Sequence, residues 1–303
     1  MEHVDERTQD PTEAIRPGTR RLLVAFLVLT LLAVNQLFVL ADVADRFWAW
    51  TIRAEPTAAF LGAAYGAGAV LSALSLREDR WSRIRVPVLT VTVFTLVTCV
   101  ATLVHTHRLH LLTGGPVARV AAWVWLAVYL VIPALCVAVV LAQEVRRRGR
   151  PAVPAPMPGW LAGLLAVEGA VMLAAGGVLF AGGLFVHHHV QTVTSFWPWE
   201  ITPLSSQVIG AWMIALGVAA ALVIRERDLS RLFVAGVTYT VFGVLELVAL
   251  VWYLPEVDTD DGWVWAYGVF LVAVVATGAV GARAARVARR GDTGSARTTA
   301  AAG

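Results

Sequence analysis

Residues 47–83 read FWAWTIRAEPTAAFLGAAYGAGAVLSALSLREDRWSR, and residues 196–231 read FWPWEITPLSSQVIGAWMIALGVAAALVIRERDLSR. Each stretch passes from an aromatic motif, through a long run of small and apolar residues, to a basic turn. Runs free of Arg in their middle and about 20 residues long match the thickness of a hydrocarbon core crossed by a helix. The motifs Phe47-Trp48-Ala49-Trp50 and Phe196-Trp197-Pro198-Trp199 stand 149 residues apart, and the turns Arg77–Arg83 and Arg225–Arg231 stand 148 apart. The triplets Leu61-Gly62-Ala63 and Ile209-Gly210-Ala211 keep the same order between them. Further on, Trp123-Val124-Trp125 and Trp263-Val264-Trp265 are 140 apart, so the length changes fall in loops. These ordered anchors read as an internal duplication.

Working outward, apolar runs fall at 21–41, 56–76, 86–104, 117–142, 158–185, 207–225, 230–252 and 263–284. They are too long for strands and lack period-two alternation. The expected fold is therefore an all-α, polytopic membrane bundle of about eight transmembrane helices. Four helices per copy is an even number, so the two copies point the same way and form parallel repeats. The expected units are a cytoplasmic tail at 1–20, a first repeat at 21–145, a basic and Pro-rich linker at 146–157, a second repeat at 158–285 and a tail at 286–303. The acid-rich start lacks the charge pattern of a cleavable leader, so the first helix is expected to remain as an anchor.

Composition agrees: 58% of residues are apolar, 15% are charged and the mean hydropathy is +0.71. A net charge of +3 does not indicate a nucleic-acid partner, because the arginines lie between apolar runs rather than on one soluble face. All 24 basic residues are Arg, and their placement sets the orientation. With the N-terminus inside, the cytoplasmic segments hold every Arg except Arg46, Arg53, Arg108 and Arg119. On this reading the cytoplasmic face is mainly an arginine anchor, and the expected location is a bacterial plasma membrane with both termini cytoplasmic. The two cysteines, Cys99 and Cys136, sit inside apolar runs and read as buried thiols rather than a disulfide framework.

The aromatic residues Phe47, Trp48, Trp50, Phe196, Trp197 and Trp199 fall at the outer ends of spans. With Trp123, Trp263 and Trp265 they are expected to form an interfacial belt, with an aromatic-lined vestibule as the alternative. His105, His107, His110, His187, His188 and His189 also fall outside, near acids such as Glu200. Imidazole and carboxylate groups permit a metal ion there, but His-x-His and His-His-His are not catalytic zinc signatures. No cofactor and no catalytic residue is assigned. Inside the spans, Glu246 and Glu168 are the costly residues, with Asn35 and Gln36 as further polar candidates. Either they bond neighbouring helices or they bind a substrate or proton. The repeat places Thr98 opposite Glu246, so the copies are expected to differ there. Gly62-x-x-x-Gly66 and the glycines of the fifth span predict close helix contacts.

The stretch Phe196-Trp197-Pro198-Trp199-Glu200-Ile201-Thr202-Pro203-Leu204, followed by Gly210-Ala211-Trp212, resembles a pattern in uncharacterised multi-pass membrane proteins of actinobacteria. The likeness covers mainly the second half and implies membrane residence without an activity. Three functions fit the sequence: a transporter or channel-like protein for a small solute, ion or lipid; a structural or assembly subunit; and a membrane-embedded enzyme or metal or redox subunit using the outer His and acidic groups. The bilayer is the expected partner, with a small-molecule or ion ligand for the first function. Oligomeric state is not legible in the sequence.

Overall fold

A computed structural model describes residues 13–146, 155–185 and 194–301, with side chains described as far as Arg290. His187, His188, His189 and the linker residues Arg147, Arg148 and Arg150 lie outside the described residues. The helices are α1 (Pro17–Val34), α2 (Ala44–Phe47), α3 (Glu55–Leu76), α4 (Trp81–Val104), α5 (Pro116–Glu144), α6 (Gly159–Phe185), α7 (Pro203–Glu226), α8 (Leu232–Trp252) and α9 (Gly262–Ala301). All but the short α2 are long and apolar enough to cross a membrane, so the protein is an all-α polytopic bundle. Proline stands in the first turn of α1, α3, α5 and α7, where its missing N–H would have no helical partner anyway. Thr202 caps α7 by accepting from the Ser205 N–H.

Four helices are inner and four are outer. In their most apolar windows, α3 and α7 are 78% and 72% buried, whereas α1, α5, α6 and α9 are only 22–33% buried. The inner helices α3, α4, α7 and α8 join the halves, α3 against α8 and α4 against α7. Each is flanked by an outer helix: α1 on α3, α5 on α4, α6 on α7 and α9 on α8. Glycine permits the closest of these approaches. A Cβ on Gly62 would lie 2.5 Å from the backbone of Phe38 in a π-helical turn (Asn35–Val39) that ends α1. A Cβ on Gly210 would lie 2.7 Å from the Gly176 carbonyl of α6.

The ends of the bundle differ in chemistry. At the arginine-rich end, the turn after α3 is held by a backbone bond from Trp81 N–H to the Glu13 carbonyl at 2.7 Å. The turn after α7 is held by Leu229 N–H to the Ala155 carbonyl at 2.8 Å. Glu78 accepts from Arg83 at 3.3 Å and from Arg289 at 2.6 Å, while Glu226 accepts from Arg231 at 3.3 Å and from Arg85 at 2.8 Å. Arg85 also reaches Glu144 at 2.7 Å. This end is therefore a partly buried ion-pair network that ties the halves together, rather than a simple arginine anchor. The same pairing lets α4 begin at Trp81, earlier than the apolar run suggests, because carboxylates neutralise the arginines of its first turns.

At the tryptophan-rich end, the Trp50 indole donates to the Ser205 hydroxyl at 3.3 Å, and the Trp199 indole donates to Thr57 at 2.9 Å. Each bond runs from one half to the first turn of an inner helix of the other. Trp48, Trp50 and Trp197 are consequently core residues at 2–6% exposure, not members of an interfacial belt. The belt position is occupied by Trp123, Trp263 and Trp265, which are more than half exposed. The motifs are buried because the chain before α3 and before α7 turns inward to cover the helix starts.

Candidate functional site

The first half is incompletely filled. Its outer helices α1 and α5 pack on α3 and α4 and meet each other near the arginine-rich end, around Leu22, Phe26 and Cys136, with a gap beyond that contact. The gap is widened by small residues, Ala64, Ala67 and Gly68 on α3 and Ala121 on α5. The result is a cavity of about 290 Å³ with an almost wholly apolar lining. Its rim includes Leu32 of α1 and Val117, Val120 and Val124 of α5, all of them exposed on the lipid-facing side. The cavity therefore has a mouth toward the bilayer.

Its inner wall is aromatic. Phe94 and Trp212 stack with centroids 3.9 Å apart, and Tyr65 meets Trp212 edge-on at 5.3 Å. The Tyr65 and Tyr129 hydroxyls share a hydrogen bond of 2.8 Å. Toward the tryptophan-rich end the cavity is closed by Trp48, Trp50 and Trp125, whose centroids lie 4.8–5.6 Å apart. Trp125 is fixed by donating to the Thr102 hydroxyl at 3.0 Å, and Trp50 by its bond to Ser205. The polar atoms of this site are unequal in kind. The indole N–H groups of Trp48 and Trp212 are buried with no hydrogen-bond partner among the described residues. In the tyrosine pair one hydroxyl donates to the other, and the acceptor's own hydrogen is left over. An unmet buried donor costs about 1–3 kcal/mol. The site thus holds two unmet indole donors, Trp48 and Trp212, in a mainly apolar wall that also carries the Gln36 amide.

Beyond the Trp48–Trp50–Trp125 lid lies a polar vestibule of about 700 Å³, lined by Arg53, Arg108, His107 and Glu200 and by the start of α7. A second vestibule of about 380 Å³ lies beside it, with Glu200, Glu256 and Asp258. Glu256 titrates above its ordinary value because of partial burial and the neighbouring carboxylates of Glu55 and Asp42. The Tyr253 hydroxyl donates to Asp42 at 2.7 Å. Burial and that bond push the phenol upward as well.

The intramembrane acids, expected either to bond neighbouring helices or to bind a substrate or proton, lie elsewhere. Glu168 of α6 accepts from the Thr277 hydroxyl of α9 at 2.7 Å. Glu246 of α8 accepts from the Tyr267 hydroxyl of α9 at 3.1 Å, beside a void of only about 10 Å³. Both therefore bond neighbouring helices of the second half, and neither lines the large cavity. Of the amide pair, Gln36 lines it, whereas Asn35 is exposed. The described histidines go separate ways. His105 is buried and donates to the Gly183 carbonyl at 3.2 Å. His110 donates to the Trp48 carbonyl at 3.2 Å and shares a hydrogen with Thr51. His107 is exposed in the larger vestibule. Among the described residues no three His, Cys, Asp or Glu side chains form a metal-binding group.

Sequence reasoning did not single out Tyr65, Tyr129, Trp125, Trp212, Arg53 or Arg108 for this site. One signal was available: Tyr65 is a lone large residue within Ala63-Ala64-Tyr65-Gly66-Ala67-Gly68, a pattern that leaves space around a ring. The fold is that of a polytopic helical membrane protein, with an apolar cavity in its first half whose rim residues are exposed. Comparison with protein-family models, curated proteins and solved structures finds no match.

Proposed function

We propose that this chain takes a lipid-like amphiphile from a bacterial plasma membrane into the first-half cavity and passes it beneath the tryptophan lid toward the polar vestibule. The carrying observation is the cavity itself: its mouth opens to lipid, and its buried polar groups include the unmet indole donors of Trp48 and Trp212. An acyl or isoprenoid chain suits the apolar lining. Ester or carbonyl oxygens of such a molecule would meet the donors of Trp48, Trp212 and the Tyr65–Tyr129 pair. An inorganic ion suits neither feature.

The proposal includes an orientation and an architecture. The arginine-rich end faces the cytoplasm and carries both termini, in keeping with the bias of basic residues toward that side. The halves are parallel repeats of four spans about a pseudo-two-fold axis. Support for the repeat comes from pairs that exchange at an offset of 148 or 149 residues: Trp50 to Ser205 with Trp199 to Thr57, Arg83 to Glu78 with Arg231 to Glu226, and Gly62 with Gly210.

The test is photocrosslinking in nanodiscs with a phospholipid carrying a diazirine in its acyl chain. Labelling is expected to concentrate around the mouth, on α1 near Leu32 and α5 near Val120. Overfilling the mouth with Ala121→Phe is expected to reduce it about tenfold, the scale set by overpacking a closed site. Val269→Phe on the lipid-facing side of α9 is expected to leave it unchanged. Labelling spread evenly over the exposed faces of α5 and α9 would sink the proposal.

A further inference from the structure

The two vestibules exchange in the same register as the halves, yet they carry opposite charge. A short 3₁₀ turn follows each of the corresponding helices, Thr106–Arg108 after α4 and Leu254–Glu256 after α8. Arg108 thus stands where the second half has Glu256. Arg53 joins Arg108 and His107 in the larger vestibule, whereas the smaller one is lined by the carboxylates of Glu200, Glu256 and Asp258. At the opposite end of the bundle Arg20, Arg83, Arg85, Arg231 and Arg289 all have carboxylate partners. Among the described residues Arg53 and Arg108, both exposed, have none, and both line one open cavity of about 700 Å³. Its hydroxyl groups include Thr51, Thr57 and Ser205, and α7 begins on its wall, adding the partial positive charge of a helix start.

We propose that this vestibule binds a phosphate-type oxyanion, with Arg53 and Arg108 as the charged donors and His107 as a further donor when protonated. Guanidinium groups suit this ligand because their N–H groups form paired, charge-assisted bonds to its oxygens. The acidic vestibule alongside repels the same ligand and confines it to the first-half side. Glu200 lines both spaces and weakens the site. The anion is either the headgroup of a lipid or a free phosphate. Only the lipid source rests on the function proposed above. The tryptophans that form the lid are shared, since Trp50 lines the vestibule and Trp48 and Trp125 line the cavity.

The experiment uses the full chain in neutral-lipid nanodiscs, with the exposed Trp123, Trp160, Trp252, Trp263 and Trp265 changed to Phe so that the more buried indoles report. Quenching is followed as brominated phosphatidic acid, or diacylglycerol with the same brominated chains, is added. Inorganic phosphate binding is measured separately by calorimetry. The acid is expected to half-quench at about a tenfold lower mole fraction than the neutral lipid. Arg53→Gln with Arg108→Gln is expected to erase that preference while quenching by diacylglycerol persists. Glu200→Gln is expected to enlarge the preference, a change that misfolding would not produce. Phosphate bound by the wild type but not by the double arginine variant supports the site with a free anion as its source, even where neither lipid quenches. Equal quenching by both lipids together with no phosphate binding overturns the anion site but leaves the cavity's lipid reading standing. A preference that survives in the double variant overturns it too. Quenching by neither lipid counts against the lipid reading alone.

Discussion

Thr57 and Ser205 hold the same place at the starts of α3 and α7, and each receives a tryptophan from the opposite half. Around that shared frame the two halves are filled differently. In the first, α1 and α5 meet around Phe26 and Cys136 near the arginine-rich end and leave an aromatic cavity of about 290 Å³ beyond that contact. In the second, α6 and α9 are joined by the bond from Thr277 to Glu168, and glycines draw α6 onto α7 and α8 onto α9. The corresponding void there is only about 10 Å³. One half is thus open with a cationic rim, and the other is closed with an acidic rim. On the proposed repeat, the second half supplies a second wall, and differences at few positions decide which half holds space.

The comparison breaks most severely where the halves depend on each other. Glu226 is bound by Arg231 of its own half and Arg85 of the other, and its side chain is only 8% exposed. Glu226→Ala is expected to destabilise the bundle by about 3 kcal/mol, because two partly buried guanidinium groups each lose one of two carboxylate partners, Arg85 keeping Glu144 and Arg231 keeping Asp228. Thermal unfolding in detergent checks this. A variant as stable as the wild type would show that the halves do not need the network.

Next in size is the closed packing of the second half. On Gly210 any side chain meets the α6 backbone, whereas Gly177 on α6 has no neighbour within 4 Å of an added Cβ. Gly210→Leu is expected to cost at least about 2 kcal/mol through overpacking, and Gly177→Leu close to nothing. The same melting experiment compares them, and equal losses would remove the contrast between zipped and open faces.

Much of this frame was legible in the sequence, because spans, turns and repeat anchors are local patterns of length and charge. The aromatic motifs also marked the right depth of the chain. Their burial was not legible: an indole at a span end suits both headgroups and a protein core. The deciding partners, Ser205 for Trp50 and Thr57 for Trp199, lie about 150 residues away in sequence. Glu168 and Glu246 were correctly found as costly, but their partners Thr277 and Tyr267 depend on how α9 rotates against its neighbours. The cavity was least visible of all. It lies between α1 and α5 beyond their contact at Phe26 and Cys136, and small residues write the same sequence pattern whether helices close on them or leave a gap.

A smaller effect sharpens the contrast between open and closed seams. Glu168→Leu removes the acceptor for Thr277 and is expected to cost about 1 kcal/mol, the usual range for a polar bond between membrane helices. It is also expected to admit acyl-chain crosslinking between α6 and α9, where the wild type shows little. Absence of new labelling would show that glycine packing alone closes that seam.

The smallest expected effect concerns the opposed rims. The carboxyl of Glu256 is raised in the folded protein, first by partial burial and then by Glu55 and Asp42. The folded state therefore holds this proton more tightly than the unfolded chain. Its favourable contribution is present below the ordinary carboxylate value and is lost as the pH rises through the raised value. Stability measured across that window should fall with increasing pH, and Glu256→Gln should flatten that part of the profile. Arg108 occupies the corresponding turn of the first half and is not among the groups that raise Glu256. Arg108→Gln should then leave the slope untouched. If both substitutions alter it equally, the rims are coupled electrostatically and the division between a cationic and an acidic half fails at this end of the bundle.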